Sequence, residues 1–253
     1  MKTDCIYNMD ALEGMRRMPD ASVGCCVTSP PYNFCLRVRD GKYISRSPND
    51  KAFSGAIVNK YTNGLTDSLG MDEYFHWQSA CIDEMLRVST GVVFYNIQLV
   101  TGNKLAVLRL LGKYAENVRE VMIWDKTAAE PAMLPRVLNS EYELVVAFDH
   151  GDCKARQFRT ANFKRGSFSN VLRIGKNREN DHRAAFPVAL PMTLICNFTN
   201  EGETVLDPFM GSGTTAVAAL RLKRHFVGFE LDPGYFKNAE ERIRAERAQA
   251  TLF

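Results

Sequence analysis

The chain predicts an α/β fold: an open, doubly wound, mostly parallel sheet with helices on both faces. Three observations point there. Short apolar runs alternate with stretches whose apolar residues recur at helical spacing. A glycine-rich turn, GSGTTA over 211–216, lies between an apolar run and a helical pattern. A length of 253 residues with 45% hydrophobic content suits a large domain with a packed core. Sheets of this kind bind ligands at the carboxyl ends of their strands, where the strand order reverses.

Taken in order, CIYNM (5–9) reads as a strand and DALEGMRRM as the helix after it. SVGCCVTS (22–29) is a second strand that runs into Pro30 and Pro31. Residues 33–71 show no clear period, which is long for a connector and marks a functional or mobile loop. MDEYFHWQSACIDEMLRV (71–88) is helical by spacing, GVVFYNI (91–97) a buried strand, and GNKLAVLRLLGKY (102–114) a helix. VREVMIWDK (118–126) and YELVVAFD (142–149) are strands, and a basic stretch follows them. A helix around PVALPMTLICNFT precedes the last block, TVLDPFMGSGTTAVAALRLKRHFVGFELDPGYFKNAEERIRAERA. That block reads strand, glycine loop, helix, strand, helix.

No apolar run approaches the roughly 20 residues that span a bilayer, and MKTDCIYNMD does not read as a signal peptide. A soluble cytoplasmic protein is expected, with no membrane partner. The seven cysteines are odd in number and lack a CxxC pair, so free thiols and no metal site are expected. The four histidines are scattered, none beside an evident nucleophile. The formal charge of +3 conceals two basic segments. Residues 36–63 hold six Lys/Arg against two Asp, and 153–183 hold nine against two acids. The remainder is acidic. Such concentration suits a polyanionic partner.

GSGTTA matches the dinucleotide fingerprint G-x-G-x-x-G/A, so NAD(P) is a competitor. Against it, Asp207 and Pro208 stand between strand and glycines, where a carboxylate would repel the pyrophosphate that a dinucleotide brings to a helix N-terminus. The same carboxylate suits S-adenosylmethionine, which ends in a cationic amino acid and carries no phosphate. Asp207 would reach its ammonium through an ordered partner. Backbone N–H groups around Gly211, Ser212, Gly213 and Thr214 would take its carboxylate, and Glu230 its ribose hydroxyls. Only about 40 residues follow the loop, so most of the sheet comes from earlier in the chain.

Ser29-Pro30-Pro31-Tyr32 is a stiff, extended corner, since proline fixes its own φ and restricts its predecessor. Placed beside the glycine loop, it would offer a substrate two acceptors, the Pro30 carbonyl and Ser29, and a flat Tyr32 ring for stacking. A base would have to leave its duplex to get there. TSPPYN together with VLDPFMGSGTT resembles the DNA amino-methyltransferases that act on adenine N6 or cytosine N4. Catalytic motif first and cofactor motif last resembles the permuted β class.

The resemblance implies a Rossmann-like methyltransferase fold with circularly permuted motif order over nearly the whole chain. It implies S-adenosyl-L-methionine as cofactor, double-stranded DNA as partner, and methylation of adenine N6 or cytosine N4, the two held even. The catalytic residues would be Ser29, Pro30, Pro31, Tyr32 and Asn33, with Asn33 supporting the corner. Asp10, Asp207, Pro208, Phe209, Gly211, Ser212, Gly213, Thr214 and Glu230 would hold the cofactor, Asp10 at its adenine. Residues 1–149 plus 184–253 would form the catalytic domain, 150–183 a small basic target-recognition insert, and 36–70 a mobile basic loop. Arg156, Arg159, Lys164, Arg165, Arg173 and Arg178 are the candidates for DNA contact. Phe158, Phe163 and Phe168 are expected to form a local core, and Trp77 and Trp124 to be core residues. RNA or protein-amide methylation, an NAD(P)-dependent oxidoreductase and a silent DNA-binding module stay open at this point. So do a homodimer and a restriction endonuclease partner.

Overall fold

The computed structural model describes residues 1–39, 42–45, 67–130, 135–151, 154–175 and 186–250. Along them run β1 (Cys5–Asn8), α1 (Ala11–Arg16), β2 (Cys25–Thr28), β3 (Leu36–Arg39), β4 (Lys42–Ser45), α2 (Met71–Val88), β5 (Val93–Ile97) and α3 (Lys104–Lys113). Then come β6 (Val118–Glu130), β7 (Ser140–Phe148), β8 (Val171–Arg173), α4 (Ala189–Phe198), β9 (Thr204–Asp207), α5 (Thr214–Arg221), β10 (His225–Glu230) and α6 (Pro233–Ala250).

The main sheet has the order β1-β10-β9-β2-β5-β7-β6-β8, and β3 pairs with β4 in a separate antiparallel hairpin. Within the main sheet β7 alone runs against its neighbours. Parallel neighbours need crossovers, and the helices supply them on both faces. One face carries Cys26, Val93, Tyr95, Leu206 and Phe229 under Met15 of α1, Ile82 of α2 and Leu110 of α3. The other carries Cys25, Val27, Phe94, Val145 and Val205 under Leu194 of α4, Ala218 of α5 and Ile243 of α6. The alternation within Cys25-Cys26-Val27 is the period of two expected of a strand covered on both sides. Cys25 and Cys26 are accordingly buried, and the six cysteines among the described residues are free thiols.

Three elements differ from their sequence-based expectation. β7 is antiparallel because its link from β6 is short and carries no helix among the described residues, so the chain turns straight back. β8 arises inside the basic stretch, where three residues are too few to show a period. The β3–β4 hairpin occupies the start of the 36–70 loop, most of which lies outside the described residues. The described part of the 150–183 insert does not stand apart. β8 extends the sheet, and Phe158, Phe163 and Phe168 pack on Phe198 of α4, with ring centroids 5.0, 5.6 and 6.0 Å away. Those three rings form the local core expected of them. No helix among the described residues is long and apolar enough to cross a membrane.

The order of strands brings distant sequence together. Beyond β2 the chain proceeds to β5 on one side, and beyond β9 to β10 on the other. The β2–β9 boundary is therefore the point where the connections reverse. A buried carboxylate spans it. Thr28 Oγ1 donates to Asp207 Oδ1 at 2.7 Å, Thr215 Oγ1 donates to Oδ2 at 2.6 Å, and the Phe209 N–H donates to Oδ1 at 3.1 Å. Burial pushes the Asp207 carboxyl from 3.8 up to about 6, against the pull of these three donors.

Because the folded chain favours the neutral form, this group's contribution to stability is complete below its ordinary value and is lost as pH rises through 6. Asp207→Asn cannot titrate. The unfolding free energy of the wild type relative to that variant should therefore fall by about 3 kcal/mol between pH 3.5 and pH 7 in denaturant titrations. A difference that stays level over that range would contradict the burial argument.

Candidate active site at the carboxyl ends of β2 and β9

β2 ends at Thr28, and the chain leaves through Ser29, Pro30, Pro31 and Tyr32. Asn33 then adopts φ 59°, in the left-handed region that asparagine tolerates better than most residues. Its buried side chain donates to the Leu69 carbonyl at 2.9 Å and the Gly102 carbonyl at 2.8 Å. The N–H groups of Asn33 and Phe34 both donate to the Asp67 carboxylate, and Tyr74 of α2 donates to the Pro31 carbonyl at 2.7 Å. Gly102 must be glycine here, since a Cβ would lie 1.9 Å from the Asn33 carbonyl oxygen. The corner is thus braced from α2 and from the loops around 67–69 and 102. Among the described residues no donor engages the Pro30 carbonyl.

The Tyr32 hydroxyl does not hang free. It lies 2.8 Å from Ser29 Oγ, donates to Glu143 Oε2 at 2.7 Å, and accepts from Asn96 Nδ2 at 2.8 Å. Asn96 Nδ2 also donates to Glu143 Oε2 at 2.8 Å. Lys126 Nζ stands 3.5 Å from Glu143 Oε1. Burial first, then the Glu143 charge, pushes the Tyr32 hydroxyl well above its ordinary value. The Tyr32 ring is half-buried and tilted against Phe34 at 5.5 Å.

Sequence reasoning missed Asn96, Glu143 and Lys126. Their signal is an alternation that breaks at strand ends. Val27, Phe94, Val145 and Trp124 share one apolar face. The residue two steps nearer the cleft on each strand is Ser29, Asn96, Glu143 and Lys126. Period two puts these four polar groups on that same face.

On the cofactor side, Gly211 and Gly213 have φ 53° and 80°. Gly213 caps α5 in the left-handed region, and no N-cap side chain covers the first-turn N–H groups of α5. Glu230, at the end of β10, accepts from the Gly211 N–H and the Asp232 N–H, each at 2.8 Å, and burial raises its carboxyl. Asn8 of β1 is in register with Glu230, and Asp10 follows as the N-cap of α1, accepting from the Glu13 N–H at 3.0 Å. Glu230 and Asp207 therefore end adjacent strands, and Asp10 lies two residues past the end of the next one, β1. Ser212 and Thr214 are tied to Arg242 of α6, whose Nη1 donates to Ser212 O at 3.2 Å and Thr214 Oγ1 at 2.9 Å. Pro208 is buried. Phe209 meets the half-buried Trp77 edge-on at 5.6 Å, so that tryptophan belongs to the wall of the loop as much as to the core. Trp124 is buried as expected. Both Asp207 oxygens are occupied by the protein's own donors, so this residue serves first to tie β9, β2 and α5 together.

The basic candidates do not converge. Arg156 pairs with Glu120 near the start of β6, and Arg159 with Asp149 just past the end of β7. Both positions lie at the amino end of the parallel strands, away from the corner. Arg173 sits across from Asp125 in register, towards the cleft end. Five residues of strand separate Glu120 from Asp125, roughly 17 Å. Lys164 and Arg165 are exposed on a turn beside α4, and Arg178 lies outside the described residues.

Residues 23–241 match the family model for N6/N4 DNA methylases. Among curated proteins, the type II methyltransferase M.HindIII of Haemophilus influenzae is 40% identical over 305 aligned positions, covering 96% of this chain and 96% of that protein. M.BglI of Bacillus subtilis is 50% identical over 66 residues, 26% of this chain and 19% of its own length. Among solved structures, PvuII DNA methyltransferase (cytosine-N4-specific) superposes with TM-score 0.66 at 19% identity, covering 97% of this chain and 92% of that one, a likeness of fold. With the corner and the glycine loop on adjacent strand ends and the family model spanning most of its length, the chain belongs to the N6/N4 DNA methylase family.

Proposed function

We propose that this chain transfers a methyl group from S-adenosylmethionine to the exocyclic amino group of an adenine or cytosine flipped out of duplex DNA. The observation that carries the reading is the Thr28–Asp207 bond across the β2–β9 boundary, which brings the proline corner and the glycine loop to one cleft. The cofactor would lie along the ends of β9, β10 and β1, where its sulfonium methyl becomes the group transferred. The donor set fits that molecule. The uncapped N-terminus of α5 suits its carboxylate, Glu230 its ribose hydroxyls, and Asp10 its adenine, while a pyrophosphate would meet carboxylates at all three strand ends.

Bound there, the cofactor would supply the methyl: the amine would attack it in line, the carbon–sulfur electron pair would stay on sulfur to leave a neutral thioether, and the extra proton on nitrogen would pass to water. Ser29 and the Pro30 carbonyl accept the amino hydrogens. That orients the nitrogen lone pair and counters its delocalisation into the ring. Positioning of this kind supplies much of the rate. The Tyr32 ring stacks on the flipped base, whose extraction costs a few kcal/mol. We place the activity in the cytoplasm, in keeping with the free cysteines among the described residues.

Mass spectrometry of nucleosides from treated duplex DNA should return N6-methyladenine or N4-methylcytosine. A product methylated on ring carbon, or none, would sink the reading. Tyr32→Ala should bind cofactor normally in calorimetry yet lose turnover by roughly 10²-fold, through lost stacking and lost geometry.

For the DNA, Arg173 stands towards the cleft end of the sheet, whereas Arg156 and Arg159 stand at the other end. Arg173→Glu should weaken duplex binding by roughly an order of magnitude and lower its salt dependence, and Arg156→Glu should do less. Equal effects in a filter-binding salt series would return the whole 150–183 insert to the interface.

A further inference from the structure

Glu143 and Lys126 are buried charged groups that neither the corner's acceptors nor the cofactor loop accounts for. Their effect emerges when the hydrogens are followed. A carboxylate oxygen only accepts. Tyr32 has one hydroxyl proton and gives it to Glu143 Oε2 at 2.7 Å. Asn96 Nδ2 donates to the same Glu143 oxygen and to the Tyr32 oxygen, each at 2.8 Å. With its own proton committed, the Tyr32 oxygen can meet Ser29 Oγ, 2.8 Å away, only as an acceptor. Ser29 must therefore spend its proton inward, and only its lone pairs are left for the cleft.

We propose that Glu143 is a positioning residue whose carboxylate sets the direction of the hydroxyl chain Ser29→Tyr32→Glu143, so that Ser29 meets the target amino group as an obligate acceptor. The proposal rests on the reading above that Ser29 faces the amine. It explains how serine serves at a position that needs an acceptor. A freely rotating hydroxyl would present its own hydrogen to an incoming N–H for part of the time. Here the rotor is set before the base arrives. Lys126, with its side chain 0% exposed, stands at the other Glu143 oxygen and compensates its charge, and Asn96 keeps the oxygen shared with Tyr32 occupied. Burial and the Glu143 charge both keep the Tyr32 proton in place.

Glu143→Gln is the direct test. Lys126 attracts the amide oxygen, which turns the NH2 group towards Tyr32 and Asn96 and reverses the chain. Single-turnover methyl transfer should slow by roughly 10- to 100-fold, while the dissociation constants for S-adenosylmethionine and for duplex DNA stay within about twofold. In a Ser29→Ala background the same substitution should add no more than about twofold, because it acts through Ser29. Tyr32→Phe keeps the ring, breaks the chain, and should slow transfer by a similar factor. A wild-type rate in Glu143→Gln, or an undiminished loss in the Ser29→Ala background, overturns the proposal. If circular dichroism shows that Glu143→Gln does not fold, Tyr32→Phe decides: a slowed rate with unchanged binding supports the chain, and a full rate overturns it. The wild-type control separates the two levels. Wild-type protein that methylates no duplex DNA defeats the underlying reading, whereas active wild-type protein with unaffected variants defeats the relay alone.

Discussion

The molecule depends on one buried carboxylate. Asp207 receives Thr28 from the strand before the corner, Thr215 from the helix after the glycine loop, and the Phe209 N–H from the loop itself. A lone buried carboxylate would be unfavourable. With three donors converging on it, it becomes a joint whose members cannot separate without leaving a charge or several donors unsatisfied. The joint sets the distance between the proline corner and the glycine loop. Reactions governed by alignment are sensitive to that distance at the level of an ångström.

Rigidity is then distributed outward. The prolines restrict the corner from within, while Tyr74, Asp67 and Asn33 hold it from outside. Two separate polar systems flank the corner. Asp207 lies beneath the cofactor loop, and Glu143 with Lys126 lies beneath the corner's hydroxyl groups. Each is enclosed by apolar side chains of the sheet. Removing one member of such a system costs more than its partners contributed, because the remainder is stranded in a dry interior.

Much of this was legible in the sequence. Strands and helices followed from period, and α2 was bounded to the residue because apolar residues recur at helical spacing from Tyr74 to Val88, with Gln78 and Ser79 buried among them. The corner and the glycine loop were legible because proline and glycine restrict the backbone in ways few other residues imitate. Three things were not. The direction of β7 depends on a turn rather than on any strand residue. Arg156, Arg159 and Arg173 read along the chain as one patch, but the first two stand near the starts of the parallel strands and the third towards the cleft end. The partners of Tyr32 lie on three other strands, and each looks like an ordinary polar strand residue until the faces are aligned. The bonds that make Asp207 a joint require, in addition, knowing that Thr28 is its neighbour.

Thr28 and Asp207 are 179 residues apart in the chain, and among the described residues β1 pairs with β10 alone. On the ribosome, at 5–20 residues per second, β2 waits roughly ten to forty seconds for the strand that completes it. Throughout that interval its β9 edge is unpaired, and the glycine-loop half of the cleft does not exist. A nascent chain therefore lacks the glycine-loop side of the cleft until β9 has emerged.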